Sequence, residues 1–347
     1  MIRVLIAEDS PTIRELLVGI LESDPGIQVI GHARNGVEAV EMTARLKPDL
    51  ITMDIHMPLM DGFEATKEIM VASPTPIIVV SGSVSRHDID LSLSATRVGA
   101  LMVVEKPGRP DSPGFDAQRE RLLSMVKAMT EVKVVRQRDP AAAARATNGS
   151  GGGTPRPGVR VIAVAASTGG PAALQRMLVD IPRDFPVPIL VVQHIATGFV
   201  AGLARWLGSG CSLRVKVAED GEPLVGRTVF LAPEDRHLGV GQDRRILISD
   251  TRPINGFRPS ATFLFDSVAR AYGTSMVGVI LTGMGNDGVD GLKVARGAGA
   301  TILAQDEASS IVYGMPREAV DAGVVNAVVS IGDLGPRLTH LVAGGHP

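Results

Sequence analysis

Residues 139–158, which read DPAAAARATNGSGGGTPRPG, constrain the fold of this chain more than any other stretch. Alanine, glycine and proline dominate the stretch, so it cannot bury enough apolar surface to offset the entropy cost of ordering it. We therefore predict a flexible linker over residues 136–158. It separates a first domain, residues 1–135, from a second domain, residues 159–345, and each is long enough for its own core.

The first domain alternates short apolar runs with amphipathic stretches. It opens with a strand at Arg3–Ala7 and a helix at Pro11–Glu22, for which Ser10 is the expected N-cap. Further strands are predicted at Val29–Ala33, Leu50–Met53, Ile77–Val80 and Leu101–Val104, and further helices at Gly36–Leu46, Phe63–Val71, Leu91–Gly99 and Gln118–Val135. Five β-α units in a row predict a doubly wound α/β domain with a parallel sheet.

The second domain shows the same alternation, which predicts another α/β domain with a Rossmann-like parallel sheet. Its strand candidates are Arg160–Ala165, Pro188–His194, Leu213–Val217, Thr228–Leu231, Arg245–Ile248, Met276–Leu281, Thr301–Ala304 and Val324–Val328. Helices are expected between several of them, including Pro171–Leu178 and Ala261–Tyr272.

Composition excludes several function classes. A net charge of −2 and an aromatic content of 3% argue against a nucleic-acid partner. No run of about 18 apolar residues occurs, and the N-terminus does not resemble a signal peptide, so we expect no membrane insertion. The single cysteine, Cys211, excludes an intramolecular disulfide and fits a reducing compartment. We expect a cytoplasmic monomer.

Charged and polar residues follow four of the first domain's predicted strands. They are Glu8 and Asp9, Asp54, Ser81 and Lys106. Strand ends converge on one edge of a parallel sheet, where three carboxylates would repel each other without a cation. Oxygen ligands suit Mg²⁺, and a carboxylate beside Mg²⁺ can attack a phosphoryl group. Any one of these carboxylates alone is more often solvated or a helix cap.

The joint pattern is specific. MDIHMPLMDG (residues 53–62), SGS (81–83) and VEKP (104–107) resemble the receiver domain of bacterial response regulators, a flavodoxin-like or CheY-like fold. This resemblance implies that Asp54 is phosphorylated and that Ser81 and Lys106 are switch residues. It also implies that Mg²⁺ is bound by Glu8, Asp9, Asp54 and the backbone carbonyl of His56. The His56 side chain is expected to face solvent.

The sequence departs from the receiver pattern at one position. Receivers commonly carry Phe or Tyr three residues before the lysine, and here that position is Val103. Coupling through a moving aromatic ring is therefore not expected, although phosphorylation of Asp54 still is.

A candidate nucleophile lies in VIAVAASTGGP (residues 161–171), where an apolar strand runs into a turn and then a helix. The turn exposes Ser167, and the glycines that follow, including Gly169, allow a substrate to approach the backbone. The first amides of the helix would face a developing oxyanion. Taken alone, this segment is more often explained by a helix N-cap or a phosphate-binding turn.

Two further strands end in residues that complete a nucleophile–base–carboxylate set. His194 closes VVQH, and Asp287 lies in the loop of LTGMGNDG, so all three side chains are expected at one sheet edge. The chain order Ser, His, Asp differs from that of α/β-hydrolases. The stretch Gly283–Gly288 also matches G-x-G-x-x-G, and Asp306 could bind a ribose, but this late match is weak evidence for a nucleotide site.

Together these segments resemble the protein-glutamate methylesterases of bacterial chemotaxis, the CheB family. The resemblance is carried by AASTGGP, VVQHIATGF, FLAPEDRHL, RPSATFLFDSVA, LTGMGNDG and GMPREA. It implies that Ser167 is the nucleophile, His194 the general acid/base and Asp287 its orienting partner. Thr168, Gly169 and Met284 are the implied oxyanion-side residues, while Arg258 and His237 are candidates for the substrate side. The family often has an acidic residue where this chain has Thr262.

The resemblance implies a phosphorylation-regulated serine hydrolase that demethylates glutamate methyl esters, and deamidates glutamines, on methyl-accepting chemotaxis receptors. It implies a chemotaxis-type histidine kinase as phospho-donor, Mg²⁺ in the first domain and no cofactor in the second. The unphosphorylated receiver would cover the hydrolase cleft. Three alternatives stay open: a DNA-binding regulator, a non-catalytic signalling module, and an enzyme serving a non-chemotactic pathway.

Overall fold

The computed structural model describes residues 1–81, 102–112, 114–130, 158–195 and 197–345. The predicted helix Leu91–Gly99, Ser83 and all of the predicted linker except Gly158 lie outside the described residues. The domain boundaries at 135 and 158 therefore stay predictions.

The first domain contains a parallel sheet of five strands in the order β2-β1-β3-β4-β5, which confirms the predicted doubly wound fold. The strands are β1 (Ile2–Ala7), β2 (Ile27–Ala33), β3 (Leu50–Met53), β4 (Ile77–Ser81) and β5 (Met102–Glu105). The described helices are α1 (Pro11–Glu22), α2 (Gly36–Leu46), α3 (Gly62–Ala72) and α4 (Phe115–Thr130).

Side-chain caps fix where these helices begin. Ser10, Asn35 and Asp61 each accept a hydrogen bond from a backbone amide of the first turn of α1, α2 and α3 respectively. Each cap satisfies a donor that would otherwise have no intrahelical partner. Because α1 and α3 follow β1 and β3 after short loops, the caps also fix the loops that carry the acidic residues.

The second domain contains seven parallel strands in the order β14-β13-β12-β6-β7-β9-β8, again as predicted from the alternation. The strands are β6 (Val161–Ala166), β7 (Ile189–Gln193), β8 (Arg214–Val217), β9 (Thr228–Leu231), β12 (Met276–Ile280), β13 (Thr301–Gln305) and β14 (Ala327–Val329). The helices are α5 (Gly170–Val179), α6 (Val200–Gly210), α7 (Ala261–Tyr272), α8 (Val289–Gly297), α9 (Met315–Asp321) and α10 (Ile331–Val342).

One strand pair lies outside this sheet. β10 (His237–Val240) and β11 (Ile246–Ser249) form an antiparallel hairpin. The sequence predicted β11 but not β10, because the four residues of β10 give too short a pattern to identify a strand. The hairpin is fixed by its packing, since Leu238, Val240 and Ile246 are all buried in the core against α7.

The two domains contact each other along the edge strand β5 and helix α4. Ile311 and Val312 of the second domain pack against the apolar core of the first. A cavity of about 200 Å³ also lies at this contact, lined by residues of β5 and α4 and by Thr197. Among the described residues, no helix is long and apolar enough to cross a membrane.

Candidate active site

The turn after β6 carries Ser167, which is partly exposed. Its backbone N–H donates to the carbonyl of Thr282 at 3.0 Å, and its carbonyl accepts from the N–H of Gly170 at 2.8 Å. Gly169 has a φ of 75°, a left-handed conformation that favours glycine. These contacts hold a tight strand-to-helix turn with its serine at the carboxyl edge of the sheet.

His194 follows the neighbouring strand β7, and Asp287 lies in the loop after β12 on the other side of β6. The Nε2 atom of His194 lies 3.0 Å from Oδ2 of Asp287. Its Nδ1 atom is buried and has no hydrogen-bond partner among the described residues. When Nε2 donates to the carboxylate, Nδ1 is the acceptor. A base needs this tautomer to take a proton from a serine hydroxyl.

Three donors besides His194 hold the Asp287 carboxylate. They are the Ser260 hydroxyl at 2.8 Å and the backbone amides of Ala261 at 2.7 Å and Thr262 at 3.1 Å. Burial alone would raise the pKa of Asp287, but the hydrogen bonds from His194, Ala261 and Ser260 outweigh it and lower the pKa. The carboxylate is thus ionised at neutral pH and fixed at the positive end of α7.

Sequence reasoning missed the role of Ser260. The available signal was the position of a serine directly before the helix Ala261–Tyr272, which is typical of an N-cap. Its hydroxyl does accept from the amide of Thr262, and it also donates to Asp287.

Two backbone amides near Ser167 are candidates for an oxyanion hole. No described residue accepts a hydrogen bond from the amide of Thr168 or that of Met284. The amide of Gly283, by contrast, already donates to the carbonyl of Val312 at 3.0 Å. Thr168 itself is held from the other side, because its carbonyl accepts from the Thr282 hydroxyl at 2.9 Å.

Gln193 is a second residue that sequence reasoning missed. Its side-chain amide is buried and donates to the carbonyls of Ser167 and His194, both at 2.8 Å. A Cβ atom at Gly170 would lie 1.9 Å from the Gln193 Oε1 atom, so only glycine leaves room for this side chain. Gln193 therefore ties the backbone of the serine turn to the backbone of the histidine.

The candidates for the substrate side form hydrogen bonds within the protein. His237 is fully buried in β10, where its Nδ1 accepts from the amide of Ser260 at 3.1 Å, so it does not face a substrate. The Arg258 guanidinium forms two hydrogen bonds of 2.8 Å with Asp235. Thr262 accepts at its hydroxyl from the amide of Gly288 at 3.0 Å.

The receiver constellation comes together at the edge of the first sheet. Glu8, Asp9 and Asp54 offer ligand oxygens that all lie within 4.8 Å of one another. Lys106 Nζ lies 2.8 Å from Glu8 and 2.9 Å from Asp54. Burial raises the pKa of Glu8, and the Asp54 charge adds to this effect. One lysine cannot balance three carboxylates, so this donor set fits a divalent cation such as Mg²⁺.

The remaining receiver residues support a phosphoryl site. The Ser81 hydroxyl is buried at the end of β4 and has no hydrogen-bond partner among the described residues. The His56 side chain is exposed, as expected. Gly62 lies so close to the acidic loop that a Cβ atom would come within 2.0 Å of the Asp54 carbonyl oxygen. The loop after β3 therefore requires glycine at this position.

The receiver contributes residues to the cleft of the second domain. Met102 and Val103 of β5 line the same narrow cleft as Ser167 and His194. Val103 is buried, and it belongs to the receiver although it lines this cleft.

The chain is similar to known proteins over nearly all of its length. Residues 162–338 match the family CheB methylesterase, and residues 4–112 match the response regulator receiver domain. Protein-glutamate methylesterase/protein-glutamine glutaminase 4 of Myxococcus xanthus is 56% identical, over 99% of this chain and 98% of the relative. Protein-glutamate methylesterase/protein-glutamine glutaminase 3 of Anaeromyxobacter dehalogenans is 50% identical, over 97% of this chain and 98% of the relative.

A solved structure is similar to the second domain. The Thermotoga maritima CheB methylesterase catalytic domain is 36% identical and has a TM-score of 0.52. The match covers 53% of this chain and 99% of that structure.

Proposed function

This chain belongs to the CheB methylesterase family, and from this premise we propose how its residues hydrolyse an ester and how the receiver controls them. The chain is a protein-glutamate methylesterase and protein-glutamine glutaminase with an N-terminal receiver domain. One observation carries the assignment of residues: three adjacent strands bring Ser167, His194 and Asp287 to one edge, where His194 bonds Asp287 and keeps its other nitrogen free as an acceptor.

In this proposal Ser167 attacks the ester carbonyl while Nδ1 of His194 takes its proton. Asp287 stabilises the imidazolium that results, and the amides of Thr168 and Met284 stabilise the oxyanion. Loss of one such donor typically lowers kcat by a factor of about 10²–10³. His194 then gives the proton to the departing methanol. Water hydrolyses the acyl-enzyme by the reverse sequence of proton transfers. A glutamine substrate follows the same steps with ammonia as the leaving group.

We assign the phosphorylation site to Asp54. Glu8, Asp9 and the Asp54 carboxylate would hold Mg²⁺ together with the His56 carbonyl, and Mg²⁺ when bound would neutralise charge on the incoming phosphoryl group. Lys106, now paired with Glu8 and Asp54, is placed to bind a phosphoryl oxygen, and the free Ser81 hydroxyl is placed to donate to another.

Regulation follows from the domain contact. Because Met102 and Val103 line the cleft of Ser167, we propose that the unphosphorylated receiver keeps a receptor segment from the nucleophile. Phosphorylation of Asp54 would favour an arrangement in which β5 leaves the cleft. Removal of residues 1–158 should then raise methanol release in the absence of a phospho-donor. An unchanged rate would count against occlusion.

The proposed substrates are methyl-accepting chemotaxis receptors, and the proposed phospho-donor is a chemotaxis-type histidine kinase. We further propose that the protein acts as a monomer in the cytoplasm. The alternative to chemotaxis receptors is another methylated protein in a non-chemotactic pathway. The enzyme would act on it by the same chemistry.

The decisive experiment measures methanol released from isotopically methylated receptor, with and without a phospho-donor. Ser167→Ala should lower kcat by about 10⁵–10⁶, because triad residues act as a unit. Phosphorylation of Asp54 in this variant should be unchanged. Full methanol release by Ser167→Ala would refute the assignment, whereas loss of phosphorylation as well would indicate misfolding.

A further inference from the structure

The His194 imidazole ring is hydrogen-bonded at one point only. Nε2 bonds Asp287, and Nδ1 has no partner among the described residues. A ring held by one hydrogen bond can tilt about that bond, which would change the direction in which Nδ1 points. A second restraint is therefore needed to fix the plane of the ring.

Phe257 supplies a surface for that restraint. Its ring stacks on the imidazole of His194, with a centroid distance of 4.6 Å and an interplanar angle of 16°. A stacked face restricts tilting of the imidazole and excludes water from one side of it. The same face can also stabilise the positive charge that the imidazole carries during the reaction.

A tight turn presents Phe257 to the histidine. Ile254 and Phe257 exchange two backbone hydrogen bonds, of 3.1 and 2.9 Å. Asn255 and Gly256, the two residues between them, both have positive φ values, of 51° and 84°. This is the pattern of a type I′ turn, for which Asn-Gly is a favoured sequence. The aromatic ring thus belongs to the last residue of a defined turn, Ile254–Phe257.

Arg258 and His237 fix the segment that carries this turn, residues 250–258, which we call the aromatic arm. Arg258 bonds Asp235 through two nitrogens at 2.8 Å, and its third nitrogen lies 3.3 Å from the carbonyl of Asp250 and 3.4 Å from that of Thr251. His237 Nε2 lies 3.2 Å from the Arg252 carbonyl. With all three of its nitrogens engaged, Arg258 holds the arm.

We propose that Phe257 is a positioning residue that keeps the ring of His194 in the plane required for catalysis, and that Arg258 acts through Phe257 by clamping the aromatic arm. This rests on the proposed roles of Ser167 and His194. It replaces a contact between Arg258 and the substrate with a structural role.

The first test compares Phe257→Leu with Phe257→Tyr in the full-length chain. Leucine keeps an apolar side chain but removes the flat face, so kcat should fall by about 10-fold or more while KM changes less than about twofold. Tyrosine restores the ring and should restore kcat to within about threefold. Tyr272→Leu is the matched control. Tyr272 lies at the C-terminal end of α7, where its ring stacks with Arg244, and its loss should leave both kcat and KM unchanged.

The second test is a double-mutant cycle. Arg258→Met should lower kcat in the presence of Phe257 and have little further effect in the Phe257→Leu background, because both changes act through one ring. Additive losses, or a rise in KM with kcat unchanged, would show that Arg258 does not act through Phe257 and would overturn its assigned role.

The third test does not depend on activity. In the full-length chain with ¹⁵N-labelled histidine rings, the neutral ring of His194 should show the spectrum of a proton fixed on Nε2. Phe257→Leu should move the two nitrogen shifts towards each other, and Phe257→Tyr should not. If the unchanged chain releases no methanol, the proposed function fails, and this spectrum still decides the inference. Unchanged shifts in Phe257→Leu would overturn it.

Discussion

Val103 of the receiver and Ser167 of the second domain line one cleft. In many receivers, the position of Val103 carries an aromatic ring that moves on phosphorylation. Here Val103 lines the cleft that contains Ser167, so we expect movement of β5 to change access to Ser167. Coupling in this chain therefore needs no moving ring.

Val103→Ala should raise methanol release in the absence of a phospho-donor. The lost methyl groups cost about 1 kcal/mol of packing in the closed arrangement, and this corresponds to about a fivefold gain where the open arrangement is rare. Val4→Ala is the matched control. Val4 is buried in β1 of the receiver and lines neither the cleft nor the cavity at the domain contact. An equal gain in both variants would argue against the cleft contact.

Removal of divalent cations should separate the two sites. Because only the receiver needs Mg²⁺ in our proposal, EDTA should abolish labelling by a small phospho-donor and leave basal methanol release unchanged. Asp54→Asn should behave in the same way. Asp49→Asn is the control. Asp49 directly precedes β3, at the end opposite Asp54, and its carboxylate accepts a hydrogen bond from the amide of Arg3. This variant should be labelled normally. Labelling of Asp54→Asn would place the phosphoryl group elsewhere.

Asp287→Asn should destabilise the second domain in a pH-dependent way. Because the folded-state pKa of Asp287 is lowered from 3.8, its carboxylate stabilises the fold above that pH, and this is lost as the pH falls through the folded pKa. We expect a cost of about 1–3 kcal/mol at pH 7 that shrinks below about pH 4. Trp206, the only tryptophan, is buried in this domain, so its fluorescence during urea unfolding gives the measurement.

The control for this prediction is Asp266→Asn. Asp266 pairs with Arg270 on the surface of the same helix α7. Its loss should cost less than about 1 kcal/mol, as is usual for surface ion pairs. A cost for Asp287→Asn that stays constant down to pH 3 would contradict the ionised carboxylate.

Gly170→Ala should lower kcat by about 10-fold or more. The new Cβ atom would displace Gln193 and break its hydrogen bonds to the Ser167 and His194 carbonyls, which would loosen the backbone at the proposed nucleophile and base. Gly208→Ala is the matched control. Its Cβ would meet only Val215, at an ordinary contact distance of 3.7 Å, and the change should leave kcat unchanged. Equal effects on kcat would exclude a specific role for Gln193.

The fold could be predicted from the sequence because its strands are continuous apolar runs that end at chemically distinct residues. The alternation of strands and helices indicated both parallel sheets, and the strand ends indicated which side chains share an edge. The strand β10 is only four residues long, so its local pattern did not reveal it, and α4 begins at Phe115 rather than at the predicted Gln118.

The candidate site was predictable only in part for the same reason. Ser167, His194 and Asp287 stand at strand ends and carry recognisable chemistry. Gln193, Ser260 and Phe257 act through contacts with residues 26, 27 and 63 positions away, which no local spacing indicates. Arg258 and His237 were assigned to the substrate side from their loop sequences, whereas their hydrogen bonds hold other parts of the protein.

The order of strands in the second sheet also determines how this enzyme could be divided. β6 and β7 precede the hairpin in the chain and carry Ser167 and His194, while β12 follows it and precedes Asp287. A break at residues 241–244, in the turn between β10 and β11, would leave each fragment without part of the triad. The parallel pairing of β6 with β12 would have to re-form before methanol could be released, so esterase activity would report complementation between the fragments.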